Sequence, residues 1–259
     1  MIKILYVIGD SGYKGKWREF RWSLRSLEKY AKGSDGKVNI EPVVVGIAPS
    51  WFRGDVLPLE EPEGESKTRR IANKVIAACK TELVTGEFMF SADDHFLTSD
   101  IDFTKAPQFY KRSELPDALP YFGIHTEYMD SLIAARHILL GRKMPIIDFS
   151  QHFNTFFHAD DWPLVATMER ESAWIIEGWA GANFHPLFGN AWVMRNKGSA
   201  ARKLEWRLDR KFPSDTKSLM TGGYVGYISG FSIGDEAFEE EGFEDWMNAL
   251  YNVKSRWEK

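Results

Sequence analysis

Ile2-Lys3-Ile4-Leu5-Tyr6-Val7-Ile8 is a short β-prone apolar run closed by Gly9-Asp10-Ser11-Gly12, the pattern of a first buried strand and the turn that ends it. The period then changes. Between Lys16 and Tyr30, Phe20, Leu24 and Leu27 recur at helical spacing while Arg18, Arg21 and Arg25 supply charge, which predicts an amphipathic helix. Val38 to Val45 reads as a second strand ended by Gly46-Ile47-Ala48-Pro49, and the proline-punctuated, acidic stretch Gly54 to Glu65 reads as a loop. Ser66 to Lys80 predicts a second helix with Ile71, Val75 and Ile76 inward, and a third strand follows, ending at Phe90. Strand, helix, strand, helix, strand in that order predicts right-handed crossovers and a mainly parallel sheet.

Beyond residue 103 the pattern is mixed. Thr104 to Pro120 reads as a polar connection, Tyr121 to Leu140 as a helix carrying Met129, Leu132, Ile133 and Ile138, and Pro145 to Phe153 as strand-like. Pro163 to Glu171 predicts a short helix, Ser214 to Tyr227 a loop, and Asp235 to about Val253 an acidic terminal helix. With no internal repeat or low-complexity linker, the expected fold is a single α/β domain. Residues 1–103 would form a nucleotide-binding half and 104–259 a mixed α+β acceptor half.

Composition narrows the classes. The 259 residues carry 44% hydrophobic and 27% charged side chains with a net charge of −4, so no global positive field recruits nucleic acid. The single cysteine, Cys79, excludes an intrachain disulfide and a thiolate zinc cluster. No run approaches the roughly 18 apolar residues of a membrane span, and the expectation is a soluble cytoplasmic protein.

The candidate chemistry begins where the third strand ends. Ala92-Asp93-Asp94 places two acids after an apolar strand, and open α/β sheets bind ligands at the carboxyl ends of their strands. Two carboxylates there suit a hard divalent cation, which in turn can hold a diphosphate; an ordinary strand-to-turn junction is the alternative. Gly9, in the loop after the first strand, is a place for a nucleotide to approach the backbone, although no Gly-x-Gly-x-x-Gly is present. Lys67, Arg69, Arg70 and Lys74 cluster at or near the start of the second helix, where cations oppose the helix dipole. A bound phosphate or a solvated charged face would account for them.

Several stretches resemble glycosyltransferases of the GT-A type. Glu19 to Tyr30, EFRWSLRSLEKY, is similar to the ELRYSLRSLEKY block of Stealth-type sugar-phosphate transferases, and Phe88 to Leu97 to their FLYFNDDxFL block, with Ala92 where Asn is usual. Asp148-Phe149-Ser150-Gln151-His152 resembles the YDxH segment of small phage and bacterial glycosyltransferases. Phe231 to Asp235 and Lys254 to Glu258 resemble the FFSIGD and KSxxE segments near their chain ends. The resemblance implies a GT-A-like fold and a nucleotide-diphosphate sugar donor, with Mn²⁺ or Mg²⁺ held by Asp94 and Asp93. It also matches Lys67, Arg70 and Asn73 to the basic helix that precedes the metal strand and steadies the departing diphosphate.

Other roles follow from side-chain chemistry. Arg21 and Arg25, four apart on one helix face, can meet a diphosphate through bidentate hydrogen bonds, or pair with Glu19 or Glu28. Asp148 and His152 are the acceptor-side pair from which a general base would come, and His152 or His185 would add a metal ligand; a merely hydrogen-bonded histidine is the alternative. His95 is expected on the opposite face from Asp94. Asp160-Asp161 before Pro163 suggests a helix N-cap.

The expected function is metal-dependent transfer of a sugar to an acceptor hydroxyl, on a glycan or on a hydroxymethylated pyrimidine of phage DNA. In the second case the protein would work in the host cytoplasm. Arg202, Lys203, Arg207, Arg210 and Lys211 would supply a local phosphate-tracking patch, or else a solvated helix face. Stealth-like transfer of a sugar-1-phosphate and non-catalytic carbohydrate binding are the alternatives.

Overall fold

The computed structural model describes residues 1–9, 17–60, 67–105, 108–110, 114–118, 127–149, 155–162, 183, 193–195, 203–208, 217, 219–221 and 228–259. In chain order the strands are β1 (Ile2–Ile8), β2 (Ile40–Gly46), β3 (Asp55–Leu57), β4 (Glu87–Ser91), β5 (His95–Leu97), β6 (Gln108–Tyr110), β7 (Thr155–His158), β8 (Val193–Arg195), β9 (Lys203–Leu208) and β10 (Ile228–Ile233). The α-helices are α1 (Arg18–Tyr30), α2 (Lys67–Cys79), α3 (Glu127–Gly141) and α4 (Phe243–Leu250).

The chain is a mixed α/β fold around a mostly parallel five-stranded sheet in the order β3-β2-β1-β4-β7. Strand β1 is apolar on both faces because both faces are covered. Ile4, Tyr6 and Ile8 pack with Phe20, Leu24 and Leu27 of α1, while Leu5 packs on the side of Val75 and Ala78 of α2 and Leu132, Ala135 and Leu139 of α3. Strands β1 and β2 pair in parallel from Ile2↔Ile40 to Ile8↔Gly46, β1 and β4 from Lys3↔Phe88 to Tyr6↔Ser91, and β2 and β3 from Val43↔Asp55 to Val45↔Leu57. Only β7 runs antiparallel, its His158 opposite Glu87 of β4. The carboxyl ends of β3, β2, β1 and β4 therefore share one edge, and helices α1 and α2 both start from it.

A second sheet, β5-β10-β9, stacks beyond α1, and β6 pairs with β8 in parallel. Trp22 of α1 joins Phe96, Phe231, Phe243, Met247 and Tyr251 in a separate apolar cluster on that side. Helix α1 is consequently a middle layer rather than a surface helix, which is why Ser23 and Ser26 are buried along with its apolar residues.

Four sequence expectations change. Gly54 to Glu65 is not wholly a loop, because Asp55–Leu57 adds an edge strand to β2. Of the stretch Pro145 to Phe153, residues 145–149 join none of the strands and 150–153 lie outside the described residues: Leu115 takes the Ile146 carbonyl (2.7 Å), and the Asn183 side chain bonds both the N–H and the carbonyl of Ile147, each at 2.9 Å. With those backbone groups occupied, Thr155–His158 pairs with β4 instead. The acidic terminal segment is a 3-10 turn, Asp235–Glu239, and then α4, separated at Gly242 with φ 79°. Lys203 and Arg207 lie on strand β9, in register with Ile228 and Ser232, not on a helix face.

Candidate functional site

The carboxyl edge of the large sheet is built from three pieces of chain. The first is the end of β4. Ser91 is in register with Tyr6 of β1, the chain turns over Ala92–Asp94 with a His95 N–H to Ala92 carbonyl bond of 3.2 Å, and it reverses into β5. The Asp94 carbonyl in turn accepts the N–H of Ile233, 3.3 Å away at the end of β10. Asp93 and Asp94 thus stand on a turn held between two sheets.

The Asp94 side chain is 34% exposed, and His95 Nε2 lies 3.8 Å from its Oδ1. That corrects the expectation that His95 faces away from Asp94: the turn interrupts strand alternation between them.

The second piece is the end of β1 and β2. The Ile8 carbonyl, next to Gly9, accepts a hydrogen bond from Lys74 Nζ at 2.8 Å, and the Ile47 N–H lies 3.4 Å from the same oxygen. Gly46 has φ +109°, and a Cβ on it would lie 2.0 Å from the Ile8 oxygen and 2.9 Å from Lys74 Nζ. Only glycine fits there. Lys74, 2% exposed, is a buried cation under the edge. The sequence showed it as one of a basic cluster, and the missed signal is its place four residues after Arg70, on the same helix face.

The third piece is α2, whose first two turns hold Lys67, Arg70 and Asn73; Arg70 and Asn73 are half-buried, and the Lys67 side chain lies outside the described residues.

Other expected participants are placed differently. The Arg21 guanidinium sits 4.6 Å from the centre of the Trp51 ring. Arg25 leaves the donor set: all three of its nitrogens donate, Nε and Nη2 to Glu258 at 2.8 and 2.9 Å and Nη1 to the Tyr251 carbonyl at 3.2 Å. Its partner is neither Glu19 nor Glu28; Glu28 pairs with Arg256. Asp148 is fully buried beside Phe149, so no acceptor hydroxyl reaches it in this conformation. His152 and His185 lie outside the described residues. Asp160 and Asp161 belong to a 3-10 turn whose cap is His158, its Nδ1 accepting the Asp160 N–H at 3.3 Å.

The donor set can be tested against a divalent cation. Asp93 and Asp94 offer hard carboxylate oxygens, and among the described residues no group of three or more His, Cys, Asp or Glu side chains is arranged to hold a metal. Carboxylate oxygens of this kind suit Mg²⁺ or Mn²⁺, for which one or two carboxylates are enough when phosphate and water supply the other ligands. Among the described residues no helix is long and apolar enough to cross a membrane.

The chain matches no protein-family model and no curated protein sequence. Among solved structures it is similar to galactosyltransferase LgtC in complex with donor and acceptor sugar analogs, at 12% identity and TM-score 0.45, covering 99% of this chain and 99% of that one. It is similar to the glycosyltransferase GlyE of Streptococcus pneumoniae at 7% identity and TM-score 0.41, over 100% of this chain and 65% of that one. Mouse xyloside xylosyltransferase 1 is similar at 10% identity and TM-score 0.44, over 90% of this chain and 97% of that one.

Proposed function

We propose that the chain is a GT-A-type glycosyltransferase that moves a sugar from a nucleotide-diphosphate donor to an acceptor hydroxyl. The observation that carries this reading is the partly exposed Asp93–Asp94 turn on the carboxyl edge of a parallel sheet; Gly9, after β1, and the basic residues that open α2 support it. In this reading Asp93 and Asp94 hold Mn²⁺ or Mg²⁺. Such a cation, when bound, offsets the negative charge that grows on the departing diphosphate. Arg70 and Asn73 face the same diphosphate, and Lys74 keeps the Ile8 carbonyl turned inward, so that the Gly9 backbone stays at a fixed height for the nucleotide.

The reaction breaks the bond between the anomeric carbon and the diphosphate oxygen, and the acceptor oxygen bonds to that carbon as its hydroxyl proton leaves. With Asp148 enclosed, the reading gives that proton to His152. The acceptor is a glycan or a hydroxymethylated pyrimidine in DNA. The net charge of −4 favours the glycan, and DNA binding that collapses steeply with salt would instead identify a nucleic-acid acceptor.

A thermal-shift screen of nucleotide sugars tests the reading. The true donor, at about 100 times its Kd, adds about 2.7 kcal/mol of stability. The melting point should rise only when Mn²⁺ is present and Asp94 is intact. No response to any nucleotide sugar, or an equal response in Asp94→Ala, would overturn the assignment. The nucleotide released separates the chemistries: with a uridine carrier, UDP marks glycosyl transfer and UMP marks transfer of a sugar phosphate.

A further inference from the structure

Ser23 of α1 donates its hydroxyl proton to the carbonyl of His95, 2.8 Å away, and the Tyr6 hydroxyl lies 2.8 Å from the same Ser23 oxygen. A serine has one proton to give. Because that proton goes to His95, Tyr6 is the donor in the second bond, and the chain runs Tyr6 to Ser23 to His95. Tyr6 and Ser23 are both fully buried, and burial holds the Tyr6 phenol well above its ordinary range, so the proton stays in place at any working pH.

A serine inside a helix commonly bonds back to a carbonyl of the preceding turn. Ser26 does so, donating to the Ser23 carbonyl at 2.7 Å while accepting the Leu97 N–H at 3.0 Å. Ser23 instead reaches out of the helix to the first residue of β5. That residue comes directly after Asp94. Tyr6 governs the other end of the turn as well, since its backbone is in register with Ser91, the last residue of β4. The Tyr6 hydroxyl also hydrogen-bonds the Ser91 side chain, so one tyrosine references both ends of the carboxylate turn, Ser91 before it directly and His95 after it through Ser23.

The apolar contacts of Phe20, Leu24 and Leu27 already hold α1 to the large sheet, and Trp22 already joins the second cluster. Those contacts are non-directional; the directional bonds that hold the turn are the Ile233 N–H to the Asp94 carbonyl at 3.3 Å on the β10 side and Ser23 to the His95 carbonyl on the α1 side. A hydrogen-bonded chain has a length and a direction, and groups that fix the placement of ligands govern ion affinity. We infer that Ser23, with Tyr6 behind it, is a positioning residue for the Asp93 and Asp94 carboxylates and sets their affinity for a divalent cation. This inference rests on the glycosyltransferase reading of that turn.

The test uses Mn²⁺ titrated by electron paramagnetic resonance, with and without uridine or guanosine diphosphate, on the full chain. Ser23→Ala and Tyr6→Phe should each weaken Mn²⁺ binding about tenfold. Backbone hydrogen exchange at residues 92–96 should quicken in both. Tyr251→Phe is the control: it deletes another buried hydroxyl bond to β5, from Tyr251 to the Leu97 carbonyl at 2.8 Å, at the end away from the turn. It should leave Mn²⁺ affinity unchanged. Should Ser23→Ala not fold, Tyr6→Phe decides, since it keeps the ring and its packing. If wild type binds Mn²⁺ and the two variants bind it equally well, or lose no more than Tyr251→Phe, the positioning role is overturned and the function stands. If wild type binds no Mn²⁺ with any nucleotide diphosphate, the reading of the turn falls, and the inference falls with it.

Discussion

Arg25 and Glu258, 233 residues apart, form a two-pronged ion pair, Nε to Oε1 at 2.8 Å and Nη2 to Oε2 at 2.9 Å. Glu258 also accepts the Ser255 N–H at 3.0 Å. The pair is one of a row: Arg256 bonds Glu28, Lys29 bonds the Leu250 carbonyl, Trp22 bonds Asn248, and Arg18 pairs with Glu244. The outward face of α1 is the seat of residues 244–258, which hold the helix against the large sheet from behind.

Removing one member of this pair should destabilise the fold and spare the donor site. Arg25→Met leaves the Glu258 carboxylate buried without its cation, at a cost of about 3 kcal/mol. Arg25→Met with Glu258→Leu should be less harmful than Arg25→Met alone, as measured by urea unfolding. Donor affinity of the folded variant should equal that of wild type; a large fall would return Arg25 to the diphosphate.

The same pair sets a pH limit. Burial pushes the Glu258 carboxyl upward, but the hydrogen bonds from Arg25 and Ser255 outweigh it and leave the group below its usual 4.5. A carboxylate depressed on folding adds stability above its unfolded value, and that stability is lost as pH falls through the folded value. Wild type should therefore lose stability below pH 4.5 more steeply than the Arg25→Met, Glu258→Leu double variant. Equal acid limbs in urea titrations would dismiss the pair as a source of acid sensitivity.

Strand β1 was legible end to end because a strand buried on both faces is written as a near-continuous apolar run, interrupted here by Lys3, which pairs with Glu41 and Asp55. The inward face of α1 and the carboxylates after β4 were legible for a similar reason: their signals are local. Strands β3 and β5 have three residues each, too few to show a period. The partner of Arg25 lies at the far end of the chain, where helical spacing says nothing, so a surface pairing or a ligand were the only readings open. Buried Ser23 and Ser26 look like solvent-facing positions until β5 is known to cross α1. Asp148 drew notice as an acid near a histidine, and nothing in its neighbours announced that Asn183 would clamp Ile147 and enclose that segment.

Gly46→Ala should be severe. The new Cβ would lie 2.0 Å from the Ile8 oxygen on a backbone with φ +109°, a clash and a strained conformation together worth about 3 kcal/mol or more. Gly86→Ala is the comparison, because φ is +62° there but the space is open, and it should cost only about 1 kcal/mol. Chemical denaturation of the two variants checks the difference; equal losses would mean that the close approach at Ile8 relaxes freely.

Cys79 should be inert in the folded protein. Burial first, and the Asp160 carboxylate second, push its thiol up to about 12, so almost no thiolate exists at pH 8, and the thiolate is the reacting species. Iodoacetamide at pH 8 should label Cys79 slowly in buffer and readily in urea. Equally fast labelling in both would place the thiol in the open.

Asp161 should be a source of instability at neutral pH. Its Oδ2 is buried without a hydrogen-bond partner among the described residues. Burial raises its carboxyl above 3.8, Asp160 pushes it the same way, and His158 only partly opposes them. A carboxyl raised on folding favours the protonated form in the native state, so stability declines as pH rises from 3.8 through the folded value. Asp161→Asn removes that charge and should add about 0.5 kcal/mol at pH 7, a gain kept small by partial contact with water. At pH 3 the variant and wild type should unfold at the same urea concentration, because both are then neutral at this position. A variant less stable than wild type at pH 7 would mean that the Asp161 charge is compensated in the native state, and that the raised carboxyl is not what limits stability there.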